Sequence, residues 1–418
     1  MKIIDQKKVK TQSVTIPGSK SISHRMLICA ALSRGSSLID NLLHSDDISL
    51  TMAALKNLGA DILHLQDNNY EVTGFGGFPR PYDKQIYLGN SGTSMRLLAG
   101  IAALGNTPYV LTGDERMCER PMKELLDALN MMGMDAVSNS KTGTPPVTIT
   151  GKNREGGHVK IDCSKSSQYL SALLMMGALL KSGLDISLYA PPVSSPYISL
   201  TLDIMKKFNV QAYQIDLTHY RVEPDQTYKP GHFFVEPDLS NAGYFWAIGA
   251  ITGQMIFVKN ISRNSLQGDL KQIDILEKMG CSIQVEDNRI GVCGKDLKAI
   301  HVDMGDTPDA VPAIAVVASF AKGTTKITNI HHLREKECDR IDAVSSQLMK
   351  LGIQVEQGHD YLCVTGGTHH AATIETFNDH RIAMAFSLPG LIVPGIKIEN
   401  ELCVEKSFPN YWEIFDSL

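Results

Sequence analysis

Asp339-Arg340-Ile341-Asp342-Ala343-Val344-Ser345-Ser346-Gln347-Leu348-Met349-Lys350-Leu351-Gly352, continuing into Ile353-Gln354-Val355-Glu356, decides the fold. It reads as an amphipathic helix closed by a glycine suited to the left-handed residue that ends helices, then an apolar, strand-like stretch. The same unit recurs at residues 47–59, 121–133, 196–209 and 269–280, and the closing Gly or Asn residues are about 71 to 76 positions apart. A sixth helix start, Ser407-Phe408-Pro409-Asn410-Tyr411-Trp412, implies six units, the last cut short or closed by the N-terminal strand. Six units divide into two domains of three. Strand-like runs such as Ile256-Phe257-Val258 between the helices make the class α/β with several small mixed sheets.

Each helix begins beside a polar or charged residue: Asp46 and Asp47, Arg120, Ser194 and Tyr197, Asp269, Arg340, and Lys406. Three helices related by approximate threefold symmetry would point their free backbone N–H groups the same way and so favour anions. Taken one at a time, the Ser, Asp and Pro residues are also ordinary N-caps, but Arg120 and Arg340 oppose the helix dipole and are not explained so.

The 418 residues, 43% hydrophobic and 20% charged, are enough for a large core and two domains. A net charge of -5 offers no bulk field for nucleic acid or an anionic membrane, so anion binding has to come from local Lys and Arg clusters. The start of the chain lacks the apolar core of a signal peptide and no apolar run reaches the roughly 18 residues needed to cross a bilayer, which predicts a cytoplasmic protein. The eight cysteines are scattered, without C-x-x-C or metal-ligand spacing, and read as reduced, mostly buried residues; no metal site is expected.

Cations recur in small-residue turns. Pro17-Gly18-Ser19-Lys20-Ser21-Ile22-Ser23-His24-Arg25 combines backbone freedom with two cations and hydroxyl donors. Leu88-Gly89-Asn90-Ser91-Gly92-Thr93-Ser94-Met95-Arg96 can fold round a small ligand. Arg120 follows before Pro121, and Ser164-Lys165-Ser166-Ser167-Gln168-Tyr169 suits a polyhydroxylated or phosphorylated substrate. In the second half, Asp309 precedes the apolar run 311–320 and reads by default as a helix cap, while the mixed charges of 333–340 read by default as a solvated turn. Asn378-Asp379-His380-Arg381 and Lys406 complete the set. Lys20, Arg25, Arg96, Arg120, Lys336, Arg340, Arg381 and Lys406 in a net-acidic chain point to a multiply anionic small molecule, with Asp309 and Glu337 as candidates for proton transfer.

These motifs, with Arg263-Asn264-Ser265-Leu266-Gln267-Gly268-Asp269, resemble in order and along nearly the whole chain those of the 5-enolpyruvylshikimate-3-phosphate synthase family. The resemblance implies two similar domains, each of three βαβαββ repeats with pseudo-threefold symmetry (an inside-out α/β barrel type), with the site in the interdomain cleft. It implies a chain that crosses twice, with residues 1–16 and 235–418 on the phosphoenolpyruvate side and 17–234 on the shikimate 3-phosphate side. The implied reaction is transfer of the enolpyruvyl group of phosphoenolpyruvate to the 5-hydroxyl of shikimate 3-phosphate with release of phosphate, through a tetrahedral intermediate. It serves chorismate and aromatic amino-acid biosynthesis and needs no cofactor.

By the same resemblance, Lys20, Ser21, Arg25, Ser166, Ser167, Gln168, Ser194, Tyr197, Asp309 and Lys336 hold shikimate 3-phosphate. Lys20, Asn90, Gly92, Thr93, Arg120, Gln168, Arg340, Arg381 and Lys406 hold phosphoenolpyruvate. Asp309 is the implied base and Glu337 or Lys20 the implied acid. Ser195, Asn241 and His332 depart from the common pattern, where a Lys, a Ser and an amide are usual. The small-residue pocket at Gly92 and Thr93 implies inhibition by glyphosate competitive with phosphoenolpyruvate. A monomer is expected, with no nucleic-acid or membrane partner. The alternatives are a UDP-N-acetylglucosamine enolpyruvyl transferase, whose G-C-x-x-G-x-R-P loop lacks its glycines around Cys118 here, and a non-catalytic anion-binding homologue.

Overall fold

The computed structural model describes residues 1–418. The chain forms a continuous unit, Gly18–Val235, and a discontinuous unit, Met1–Pro17 with Glu236–Leu418. Each buries its own hydrophobic core.

The helices of the continuous unit are α1 (Lys20–Leu32), α2 (Asp46–Asn57), α3 (Gly92–Ala102), α4 (Lys123–Met131), α5 (Gln168–Gly177) and α6 (Pro196–Lys207). They alternate in kind. Helices α2, α4 and α6 bury one face only, and the residues that close them, Gly59, Gly133 and Asn209, all have positive φ. The repeat read from the sequence is this outer set. Helices α1, α3 and α5 are buried on almost every side, and α3 packs on both α1 and α5. Beyond their polar first turns, their runs of Leu, Ile, Met and Ala leave no polar face, and such helices are stabilised by burial in a core.

Each pair of helices is joined to a small sheet. The strand order is Gln85–Tyr87, Tyr109–Thr112, Val147–Thr150, Asp135–Ser138, with the first pair parallel and the others antiparallel. The sheet beginning at Gly157–Ile161 repeats that order. In the remaining sheet the parallel outer strand is His232–Phe234, brought back beside Ser36–Asp40 from the far end of the unit.

The discontinuous unit has α7 (Leu239–Thr252), α8 (Lys271–Lys278), α9 (Val311–Ser319), α10 (Arg340–Lys350), α11 (His380–Ser387) and α12 (Tyr411–Asp416). Here α7, α9 and α11 are the buried set; α9 packs on both of the others. Gly280 and Gly352 follow α8 and α10 at positive φ. Two of its sheets keep the four-stranded order, and in one the parallel outer strand is the N-terminal Gln12–Val14 beside Ile256–Lys259. The sixth sheet has three strands: Lys2–Ile3, Lys397–Ile398 and Thr373–Ile374. The last repeat is therefore short and is completed by the N-terminal strand, as the period implies. The six sheets are separate and form no closed barrel. No helix is long and apolar enough to cross a membrane.

Candidate functional site

In the continuous unit the cation motifs fall at the starts of the buried helices. Helix α1 begins at Lys20, earlier than the apolar run from Met26 suggests, and this puts Lys20, Ser21 and Arg25 in its first two turns. Lys20 Nζ lies 3.2 Å from Asp47 Oδ2, and Asp47 is in the first turn of α2. Arg25 is buried and uses all three guanidinium nitrogens on the protein: Nε donates to Thr201 Oγ1 at 2.7 Å, Nη1 to the Ser21 carbonyl at 3.0 Å and Nη2 to Ser171 Oγ at 3.2 Å. These bonds tie α1 to α5 and α6, and burial lowers the Arg25 pKa to about 10.

A second group joins α3 and α5. Gln168, the first residue of α5, accepts from Arg96 Nη1 at 3.0 Å and donates through Nε2 to Thr93 Oγ1 at 3.0 Å. Arg96 also donates to the Pro121 carbonyl at 3.2 Å, as does the Tyr169 hydroxyl at 2.7 Å. Arg120 follows the short 3-10 turn Met117–Glu119 and donates to the backbone and side-chain oxygens of Asn90 at 3.2 and 3.1 Å. Two residues, Pro121 and Met122, separate it from α4, so it lies outside that helix's first turn.

Gly92 opens α3 beneath both guanidiniums. A β-carbon there would meet Arg120 Nη2 at 2.6 Å and Arg96 Nη1 at 2.7 Å. The glycine leaves room for the cations next to free N–H groups at a helix start. Asn90, Gly92, Thr93, Arg120 and Gln168 thus form one connected group. Ser166 Oγ accepts from the Gln168 N–H at 3.2 Å, and Ser167 is buried. Ser194 adopts φ 54°, with its buried Oγ lacking a hydrogen-bond partner, and its carbonyl accepts from the Tyr197 N–H at 3.2 Å.

The discontinuous unit holds a tighter charged cluster. Asp309 is in the 3-10 turn Pro308–Ala310 and accepts from Arg340 Nη1 through Oδ1 and from Arg381 Nη2 through Oδ2, each at 2.8 Å. It is no helix cap: its side chain makes no capping bond. Arg340 is 1% exposed and also donates to Glu337 Oε2 at 2.8 Å and Asp379 Oδ2 at 2.7 Å. Burial works against the Arg340 charge, but Asp379, Glu337 and Asp309 outweigh it and hold its pKa well above the ordinary value. Arg381 contacts the Tyr244 hydroxyl at 3.4 Å, while burial raises that phenol to about 12. Residues 333–340 are not a solvated turn, because three carboxylates reach Arg340 and let it stay inside. Lys336 and Lys406 are half-buried in this unit, at the ends of 3-10 turns.

Two functional partners were not legible as such. Asp379 belongs to the Asn-Asp-His-Arg motif; it caps α11 and binds Arg340, and its position just before an apolar helix was the available signal. Asp47 was read as a helix start and not as the partner of Lys20. No three His, Cys, Asp or Glu side chains gather where they could hold a metal ion.

The family profile described as EPSP synthase (3-phosphoshikimate 1-carboxyvinyltransferase) matches residues 4–415. A protein of Shewanella sp. (strain ANA-3) named 3-phosphoshikimate 1-carboxyvinyltransferase is 44% identical over 97% of this chain and 96% of its own length. One of the same name from Shewanella baltica (strain OS155 / ATCC BAA-1091) is 43% identical over the same shares. A solved structure of EPSP synthase from Acinetobacter baumannii superposes with a TM-score of 0.84 at 28% identity, covering 99% of this chain and 97% of that one.

Proposed function

We propose, from the premise that this chain belongs to the EPSP synthase family, a role for each half-site in the family's reaction. The chain is a transferase that moves the enolpyruvyl group of phosphoenolpyruvate to the 5-hydroxyl of shikimate 3-phosphate and releases phosphate, a step of the shikimate pathway. Asp309 is the base that takes the 5-hydroxyl proton as the oxygen attacks C2 of phosphoenolpyruvate. Glu337 or Lys20 delivers a proton to the C3 methylene, giving a tetrahedral intermediate. Loss of phosphate from C2 and of a proton from the new methyl group restores the alkene.

The observation that best supports this assignment is Asp309, whose two carboxylate oxygens accept from Arg340 and Arg381 at 2.8 Å each and so lie beside the cations assigned to phosphoenolpyruvate. Arg340, Arg381 and Lys406, with Arg120, Asn90, Gly92 and Thr93, are assigned to phosphoenolpyruvate, where cations stabilise the charge moving onto the departing phosphate. Ser21, Arg25, Ser166, Ser167, Ser194, Tyr197 and Lys336 are assigned to shikimate 3-phosphate, and Lys20 and Gln168 to both substrates. Arg25 already serves three protein partners, so its assigned part is to hold Ser21 and the surrounding hydroxyls in place through its charge. The discontinuous unit is read as the phosphoenolpyruvate side and the continuous unit as the shikimate 3-phosphate side. The enzyme is read as a cytoplasmic monomer that needs no cofactor.

The test is phosphate release by the purified protein with both substrates and with each omitted. Release that requires both supports the reading; equal release without shikimate 3-phosphate, or none with both, rejects it.

A further inference from the structure

Asp269 is a buried acid to which the reaction gives no part. Asp269 lies in the 3-10 turn Gly268–Leu270 ahead of α8 and is 4% exposed. The Ser240 hydroxyl, in the first turn of α7, is 2.5 Å from Asp269 Oδ2. The other oxygen, Oδ1, is buried without any hydrogen-bond partner. Gln272 does not reach it: its Nε2 donates to the Asp269 and Leu239 backbone carbonyls at 3.1 and 3.2 Å. The charged groups acting on the carboxyl are Asp238 at the start of α7, Asp309 from the turn before α9, and Arg381 on α11.

An ionised oxygen buried without a donor is costly, and a second carboxylate acting on it without a cation of its own to offset it makes ionisation costlier still. The proton goes to the member less well served. Asp309 has two guanidinium donors at 2.8 Å, whereas Asp269 has one hydroxyl. Burial and the Asp309 charge raise Asp269 to about 7, with Ser240 and Arg381 opposing, which agrees with the geometry.

We propose that Asp269 carries a proton in the working enzyme and is a positioning residue, whose neutral state keeps one more negative charge away from Asp309 and Arg381. Arg340 already meets three carboxylates, Asp309, Glu337 and Asp379, so a further anion beside Arg381 would weaken the cluster's hold on an anionic substrate. This rests on the reading of Arg340 and Arg381 as the phosphoenolpyruvate cations. Ionisation of Asp269 then lowers affinity for phosphoenolpyruvate as pH rises past neutrality.

The test compares the KM for phosphoenolpyruvate, separately from kcat, between pH 6 and 8.5 in the wild type and in Asp269→Asn, which is neutral throughout. Ionisation of the substrate itself cancels in the ratio of the two proteins. The wild-type KM is expected to rise relative to the variant by roughly tenfold, the equivalent of one pKa unit of interaction. A ratio that stays constant with pH overturns the proposal.

Urea unfolding of the same two proteins gives a readout independent of the reaction. The folded pKa lies above the unfolded one, so the native state holds a proton that the unfolded chain sheds. Wild-type stability should therefore fall as pH rises from about 4 to about 7 and level off beyond, and the Asn variant should lack that fall. Identical profiles overturn the proposal. If the wild type lacks turnover but the unfolding profiles differ, the reaction reading fails and the Asp269 proton stands. Should Asp269→Asn fail to fold, Ser240→Ala, which removes the hydroxyl that favours ionisation, is expected to move the end of the wild-type fall to higher pH; an unmoved profile counts against the proposal.

Discussion

Arg340 and Asp309, 31 positions apart in sequence, meet at 2.8 Å with the arginine fully inside the protein. The contact fixes the orientation of the carboxylate through one oxygen while Arg381 holds the other. Asp309→Asn removes the base but keeps the shape. The expected loss in kcat is about 10²- to 10⁴-fold, with phosphoenolpyruvate binding retained because both arginines remain. Steady-state kinetics decide it, and a kcat within a few-fold of wild type would remove Asp309 from the base's role.

Gly92→Ala places a methyl group against the guanidiniums of Arg120 and Arg96. Both are held from the other side, by Asn90 and by Gln168, so they can move only by breaking those bonds. The KM for phosphoenolpyruvate should rise by roughly tenfold, about 1.4 kcal/mol of lost binding. Glyphosate, expected to compete with phosphoenolpyruvate in the wild type, should weaken by at least as much. Inhibition constants for the two proteins check both points, and an unchanged KM would show that Arg120 does not contact the substrate.

His332 tests how the fold responds to acid. It is buried, neither ring nitrogen has a hydrogen-bond partner, and burial, then the charges of Lys336 and His331, lower its pKa to about 3. The unfolded chain takes up a proton near pH 6.5 that the native state refuses, so stability is lost as pH falls from about 6.5 towards 3. At about 1.4 kcal/mol per unit the loss over that whole range is on the order of 5 kcal/mol. Urea unfolding between pH 4 and 7 should show His332→Asn to be less acid-sensitive than wild type.

The thiols should report folding and not catalysis. Cys29, Cys163, Cys281 and Cys403 are buried, and burial pushes each thiol well above its ordinary range. Alkylation at neutral pH followed by mass spectrometry should leave these four unlabelled in the native protein and label them in urea. Labelling of Cys29 without unfolding would mean that α1 opens in the native state.

The outer helices were legible because their signals are local. One apolar face, a polar face and a Gly or Asn at positive φ place 47–59 or 339–352 without knowledge of the rest of the chain. The inner helices were not, since an apolar run such as 311–320 has no face to read, and α1 begins among the Ser and Lys of a motif that resembles a turn. The anion motifs were found by residue type, and the assignment of substrates came from resemblance. The internal state of Arg340 was misread because local charge density suggests solvent, whereas Asp309 and Asp379, 31 and 39 positions away, neutralise it. Long-range compensation of this kind leaves no mark in a sequence window.

The path of the chain also sets an order of events at synthesis. All three sheets of the continuous unit are complete once residue 234 has been made, because its closing strand is His232–Phe234. The other unit must keep Lys2–Ile3 unpaired until Lys397–Ile398 emerges, and Gln12–Val14 until Ile256–Lys259 does. During translation the N-terminal residues therefore wait as an unsatisfied strand edge beside a unit free to fold, and loss of the last repeat would leave that edge exposed to association with other chains.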